Sequence, residues 1–214
     1  MKKSKILCVI IAMAALFCGC DIDDVPDDME NQATVILSVG TEDIYSCTRV
    51  KGKYKKFAKS CFEDIEIFGA RLALPMNVSD LPKGFTVVEF PEAKSCYNGY
   101  CTTEASLFFE GVAAASADIM YPENKTPADG QIVTLTFFSL LLNLDAPFRM
   151  GGEEGYLSVD RARELLGECE ENSYMIYDIG GGKTITLGYM TDEKNRFGCN
   201  AHAVIISTVG KCIY

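Results

Sequence analysis

The chain of 214 residues contains no tryptophan and a single histidine, His202. One imidazole cannot make a histidine pair, so a metal site or acid–base scheme built on two is excluded. No Cys-x₂-Cys pair occurs, which removes the usual zinc and redox spacings, and no metal or cofactor is expected. Positive charge is scarce: 20 Lys+Arg stand against 30 Asp+Glu, a net of −10, which argues against a nucleic-acid binder. Long apolar runs are also missing beyond residue 18, and a membrane-spanning helix needs about 20 such residues. The composition, 48% hydrophobic and 23% charged, is that of a folded protein rather than a disordered one.

What the sequence does carry begins with an address. Lys2, Lys3 and Lys5 precede an apolar run from Ile6 to Cys18, and Gly19 stands directly before Cys20, the layout of a signal peptide over residues 1–19. Leu16-Phe17-Cys18-Gly19-Cys20 resembles the lipobox of bacterial lipoproteins, in which the cysteine after a small residue receives a diacylglyceryl thioether. Gly19 fits the small position, whereas Phe17 and Cys18 are bulkier than the usual residues. The resemblance implies lipidation of Cys20 with fatty acyl chains such as palmitate. More than one acyl chain on one residue would hold the protein stably on the extracytoplasmic face of the cell membrane. Residues 20–32 then read as a lipidated cysteine and an acidic tether, with Asp21, Asp23, Asp24, Asp27, Asp28 and Glu30. Removing residues 1–19 takes three lysines and no acid, leaving 17 basic side chains against 30 acidic, a net of −13. Such a body is repelled from a flat anionic lipid surface.

Seven cysteines follow Cys20: Cys47, Cys61, Cys96, Cys101, Cys169, Cys199 and Cys212. Cys96 and Cys101 bracket an Asn98-Gly99 turn and are close enough to close a small loop. Cys199 with Cys212, flanking an apolar run, and Cys47 with Cys61, flanking a basic segment, are the other candidate pairs. Buried free thiols are an equal alternative for several of them.

Period-2 alternation marks half-buried strands at Ala33–Val39, Phe85–Phe90, Glu104–Phe109, Ala115–Tyr121, Ile132–Phe138, Ser173–Asp178, Thr184–Met190 and Ala201–Val209. In Thr184–Met190 one face is Ile185, Leu187 and Tyr189, the other Thr184, Thr186 and Gly188. Gly180-Gly181-Gly182 and Glu110-Gly111 supply hairpin turns. The best helix is Ser158–Leu166, with Ser158 as N-cap, Asp160 in the first turn and Gly167 as terminator. A shorter helical turn is expected from Asn77 or Ser79 to Gly84. Helix followed by meander thus occurs twice, and the expectation is an α+β fold. It consists of two tandem units, each a short helix followed by an antiparallel β-meander, around a shared core. The first unit spans 33–148 and the second 149–214, with the boundary near Asp145–Glu154.

The run Tyr156–Gly167, then Tyr174–Tyr177, Thr184–Leu187 and Ala203–Ile206, looks like a class of small lipoproteins from Gram-positive bacteria that pair such a helix with a hairpin and a closing strand. More distantly it is similar to the repeats of β-lactamase-inhibitor-like proteins and of small outer-membrane assembly lipoproteins. It covers residues 150–209 well and 65–140 weakly. The resemblance implies a binding or scaffold role on the cell surface and no reaction.

Candidate chemistry is correspondingly thin. Gly182-Lys183-Thr184 mimics the end of a phosphate loop, but Tyr177 occupies a required glycine position and a strand follows. His202 alternates with Val204 and Ile206 as a strand residue without a catalytic partner, and no enzyme is expected. Glu153, Glu154, Glu168, Glu170 and Glu171 read as solvated charge. Asn77 and Asn124 head glycosylation sequons without meaning in a bacterial lipoprotein. The one reversal of charge is Arg49, Lys51, Lys53, Lys55, Lys56 and Lys59, with Tyr54 and Phe57 between. Its functional reading is a contact for anionic polymers of the cell wall or lipid headgroups. Its ordinary reading is a solvated loop neutralised by Glu63, Asp64 and Glu66. The partners expected are the membrane, through Cys20, and an envelope protein or peptide on a concave sheet face or an exposed edge. A small molecule or wall polymer is the alternative.

Overall fold

The alternating runs do become strands, and they assemble into one large sheet. The computed structural model describes residues 47–139, 148–169, 173–189 and 200–209. Its strands are β1 (Thr48–Arg49), β2 (Ile65–Ile67), β3 (Ala70–Leu72), β4 (Met76–Asn77), β5 (Phe85–Tyr97), β6 (Tyr100–Phe109), β7 (Val112–Pro122) and β8 (Gln131–Phe138). They continue as β9 (Phe148–Met150), β10 (Glu153–Glu154), β11 (Tyr174–Gly180), β12 (Lys183–Gly188) and β13 (Ala203–Ser207). Two α-helices accompany them, α1 (Lys55–Glu63) and α2 (Val159–Leu166).

The large sheet has nine strands in the order β1-β11-β12-β13-β8-β7-β6-β5, with β4 beside β8. All its pairs are antiparallel except β1, which runs parallel to β11. A second sheet, β10-β9-β2-β3, is small. The core lies between this small sheet with both helices and one face of the large sheet. Ala58, Cys61 and Phe62 of α1, Ile65 and Ile67 of β2, Met150 of β9, and Ala162 and Leu166 of α2 meet Leu107, Ile119, Leu135, Ile185, Leu187 and Ile206 from the large sheet. The period-2 pattern decides which side faces in: Ile185 and Leu187 are fully enclosed, while Thr184 and Thr186 point to the opposite face.

Turn chemistry matches the sequence at three hairpins. Asn98-Gly99 joins β5 to β6 with both residues at positive φ, Glu110-Gly111 joins β6 to β7 in the same way, and the glycines at 180–182 join β11 to β12. Ser158 caps α2, its hydroxyl accepting a hydrogen bond from the Arg161 N–H at 3.2 Å, and Gly167 ends it.

The expectation of tandem helix-plus-meander units is overturned. The described residues are 53% strand against 18% helix, and strands from both halves of the chain interleave in a single mixed sheet. β8, expected in the first unit, pairs with β13, expected in the second. The short helical turn expected from Asn77 or Ser79 is present, with Asn77 at its N-cap position, but it is 3₁₀ and a single turn long. Pro75 and Pro82 bound the segment, Met76–Asn77 is held extended against β8, and only one 3₁₀ turn fits at Val78–Asp80. An α-helix stands at Lys55–Glu63, where a solvated basic loop was expected. Its cause is the spacing of Ala58, Cys61 and Phe62, which puts three apolar side chains on one face. The expected strand Ala33–Val39 and the tether lie outside the described residues.

Candidate functional site

The basic segment is built on a rigid support. Val50 is buried, and its N–H donates to the Asp178 carbonyl at 2.9 Å, extending the β1–β11 pairing by one residue. A single 3₁₀ turn, Gly52–Tyr54, with Gly52 at φ 56°, then swings the chain into α1. The inner face of α1 is fixed by Ala58, Cys61 and Phe62, and the Tyr54 ring lies against Gly167 at the end of α2. At 100° per residue, Lys55, Lys59 and Lys56 fall within about 100° of arc that flanks the buried face beside Phe62. Lys51, Lys53, Lys55, Lys56 and Lys59 are all exposed.

None of these five lysines makes an ion pair among the described residues. Neutralisation by Glu63, Asp64 and Glu66 is therefore not what the structure shows: Asp64 lies 3.7 Å from Arg71 instead. Lys53 rests over the Tyr54 ring at 5.1 Å. No acidic residue stands in the first turn of α1, so the lysines crowd the positive end of the helix dipole, where cations are disfavoured. Arg49, the sixth candidate, belongs elsewhere. Its guanidinium donates to the buried carboxylate of Asp178 at 2.6 Å, and the same carboxylate accepts the Gly180 N–H at 2.7 Å. Arg49 is thus a structural partner of the β11–β12 turn.

The cysteine expectations divide. Cys96 and Cys101 are disulfide-bonded as directly facing residues of β5 and β6. Cys47 with Cys61 is not a pair: Cys61 is a free thiol sealed in the core, where burial pushes its pKa up, whereas Cys47 is disulfide-bonded. Cys169 is free and half-buried, accepting a hydrogen bond from the Thr48 hydroxyl at 3.2 Å. Cys20, Cys199 and Cys212, with Glu170 and Glu171, lie outside the described residues. The other acids first read as free charge are engaged in part. Glu153 accepts from Arg161 at 2.6 Å, and Glu168 lies 3.4 Å from Arg163.

Sequence reading missed two features on the face of the large sheet that points away from the core. One is a row of facing polar residues, Glu104, Asp118, Thr134, Ser207, Thr184, Asp178 and Arg49, running from β6 to β1. Within it Glu104 and Asp118 are direct neighbours. Burial raises the pKa of both carboxyls; the charge of Asp118 raises Glu104 further, and a hydrogen bond from Thr134 offsets part of the rise at Asp118. The period-2 pattern contained this row, but strand order was needed to align it. The other feature is the hairpin tip, where Tyr97 and Tyr100 face each other, 80% and 55% exposed. The Tyr-Asn-Gly-Tyr run between two cysteines was its signal.

His202 sits just before β13, half-buried, with both ring nitrogens enclosed and without a hydrogen-bond partner among the described residues; burial lowers its pKa. Gly182-Lys183-Thr184 leads into β12, and Lys183 covers the Phe62 ring at 5.0 Å. Comparison of the chain with family models, with curated proteins and with solved structures finds nothing that matches it. No helix among the described residues is long and apolar enough to cross a membrane.

Proposed function

We propose that this chain is a lipid-anchored protein of the bacterial envelope that works by binding, and that its ligand is a phosphate-rich anionic polymer held on Lys51, Lys53, Lys55, Lys56 and Lys59. The observation that carries the reading is the set of five exposed lysines, on α1 and the turn that leads into it, that make no ion pair among the described residues, with the inner face of α1 locked into the core. Unpaired cations crowded at a helix N-terminus repel one another and the dipole, and a polyanion relieves both at once. A polymer is favoured over an anionic lipid surface on grounds of scale. With screening over about 8 Å, a thin chain meets the local lysine field, whereas a flat membrane also meets the acidic remainder of the body. The anchoring itself rests on the signal layout and Cys20 in the sequence.

The test is titration of the full chain with inorganic polyphosphate at several salt concentrations. The variant Lys53→Glu/Lys55→Glu/Lys56→Glu is compared with Lys83→Glu/Lys94→Glu/Lys125→Glu, which makes the same charge change on other exposed lysines. The first set should weaken binding by roughly tenfold or more and flatten its salt dependence; the second should change it far less. Equal loss in both sets, or none in either, overturns the polymer reading in favour of a protein or peptide partner seated on Tyr97 and Tyr100, the exposed aromatic anchors.

A further inference from the structure

The lysine surface has a complementary segment within its own chain. Asp21, Asp23, Asp24, Asp27, Asp28 and Glu30 put six acids into ten residues, against five lysines within nine residues at 51–59 that make no ion pair among the described residues. We propose that this acidic segment is the resident occupant of the lysine surface, an internal polyanion that an external polymer must displace. The idea rests on the reading of that surface as an anion site and adds its regulation.

Chain length permits the contact. Glu30 precedes Lys51 by 21 positions. A connector of that length reaches at most about 70 Å, several times the roughly 14 Å length of a nine-residue helix. Joining two groups through so short a connector sets an effective concentration on the order of millimolar. Individual exposed ion pairs are worth little, yet several made together by one segment at that concentration compete with a free polymer. Other exposed lysines, Lys83, Lys94 and Lys125, stand singly in sequence and offer no comparable cluster.

Zero-length carbodiimide coupling of the full chain, followed by peptide mass spectrometry, tests the contact without any polymer. Amide links from carboxyls at 21–30 to Lys51, Lys53, Lys55, Lys56 or Lys59 should exceed those to Lys83, Lys94 and Lys125 several-fold. Their yield should be unchanged by dilution and lost in high salt. Absence of the links, an even spread over all lysines, or a yield that falls on dilution overturns the proposal, the last by assigning the contact to a second copy. A paired measurement separates it from the polymer reading. Converting the six acids to their amides should tighten polyphosphate binding roughly fivefold to tenfold. Unchanged affinity sinks the internal occupant and leaves the polymer reading standing; preferential links with no polyphosphate binding in either protein do the reverse.

Discussion

At the scale of single residues, the Glu104–Asp118 pair sets two acids side by side on a partly buried sheet face. The two side chains are cross-strand partners on β6 and β7, a geometry in which like charges repel, and both carboxyls titrate above their ordinary range. Because the folded pKa exceeds the unfolded one, protonation stabilises the fold. That contribution is full below the ordinary carboxylate values near pH 4 and is lost as pH rises through the raised native values. At neutral pH the pair is therefore a net cost. Asp118→Asn keeps an oxygen to accept from Thr134 and removes one charge. It should raise stability at pH 7 by about 1 kcal/mol and blunt the gain in stability that the parent shows on acidification. Urea unfolding from pH 7 to 4 reads both effects, and a destabilised Asn variant at pH 7 would contradict the assignment. Arg49 and Asp178, at the other end of the same row, show the contrasting solution, in which an acid that is almost fully buried has a guanidinium and a backbone N–H as partners.

At the scale of elements, legibility followed contrast between faces. β6, β7, β8, β12 and α2 could be read because their apolar residues alternate or recur with little interruption. α1 is masked by its own lysines: the charge run imitates a solvated loop, although Ala58, Cys61 and Phe62 keep helical spacing throughout. The segment 74–84 was legible in part: Asn77 precedes a helical turn that ends before Pro82, but β4 pairing on one side and Pro82 on the other hold it to the single 3₁₀ turn Val78–Asp80. The very short strands β1, β9 and β10 carry too few residues to show any period. One of these short connections gives a sharp prediction. Gly155 follows β10, and a Cβ there would lie 1.8 Å from the Phe148 ring. Phe148 cannot retreat, because it is buried and stacked on Phe137 at 3.6 Å. Gly155→Ala should cost about 2–4 kcal/mol, measured by denaturant midpoint, whereas Gly69→Ala, with open space around it but positive φ, should cost about 1 kcal/mol. Equal losses at the two sites would mean that the Phe148 ring gives way to the added methyl group.

At the scale of the whole molecule, strand order carries information that no local pattern contains. The C-terminal meander β11-β12-β13 is inserted between β1, near the start of the described fold, and β8, from its middle. The small sheet repeats the arrangement, since β2 pairs with β3 on one side and with the distant β9 on the other. Both sheets are thus stitched from the two halves of the chain, and one continuous core lies between them. Tandem units would unfold in two steps or tolerate separation; interleaved strands cannot, because dividing the chain between β8 and β9 opens an edge in each sheet and exposes Leu135, Phe137, Val204 and Ile206 together. The parent should therefore melt in a single transition, with a calorimetric enthalpy equal to the van't Hoff value. Neither half expressed alone should fold, while the two mixed should recover structure only together. A folded, separately melting half would restore the tandem arrangement. Long-range pairing of this kind also predicts slow refolding for a chain of this size, since β8 must wait for β13, whose partners lie 65 or more residues away in sequence.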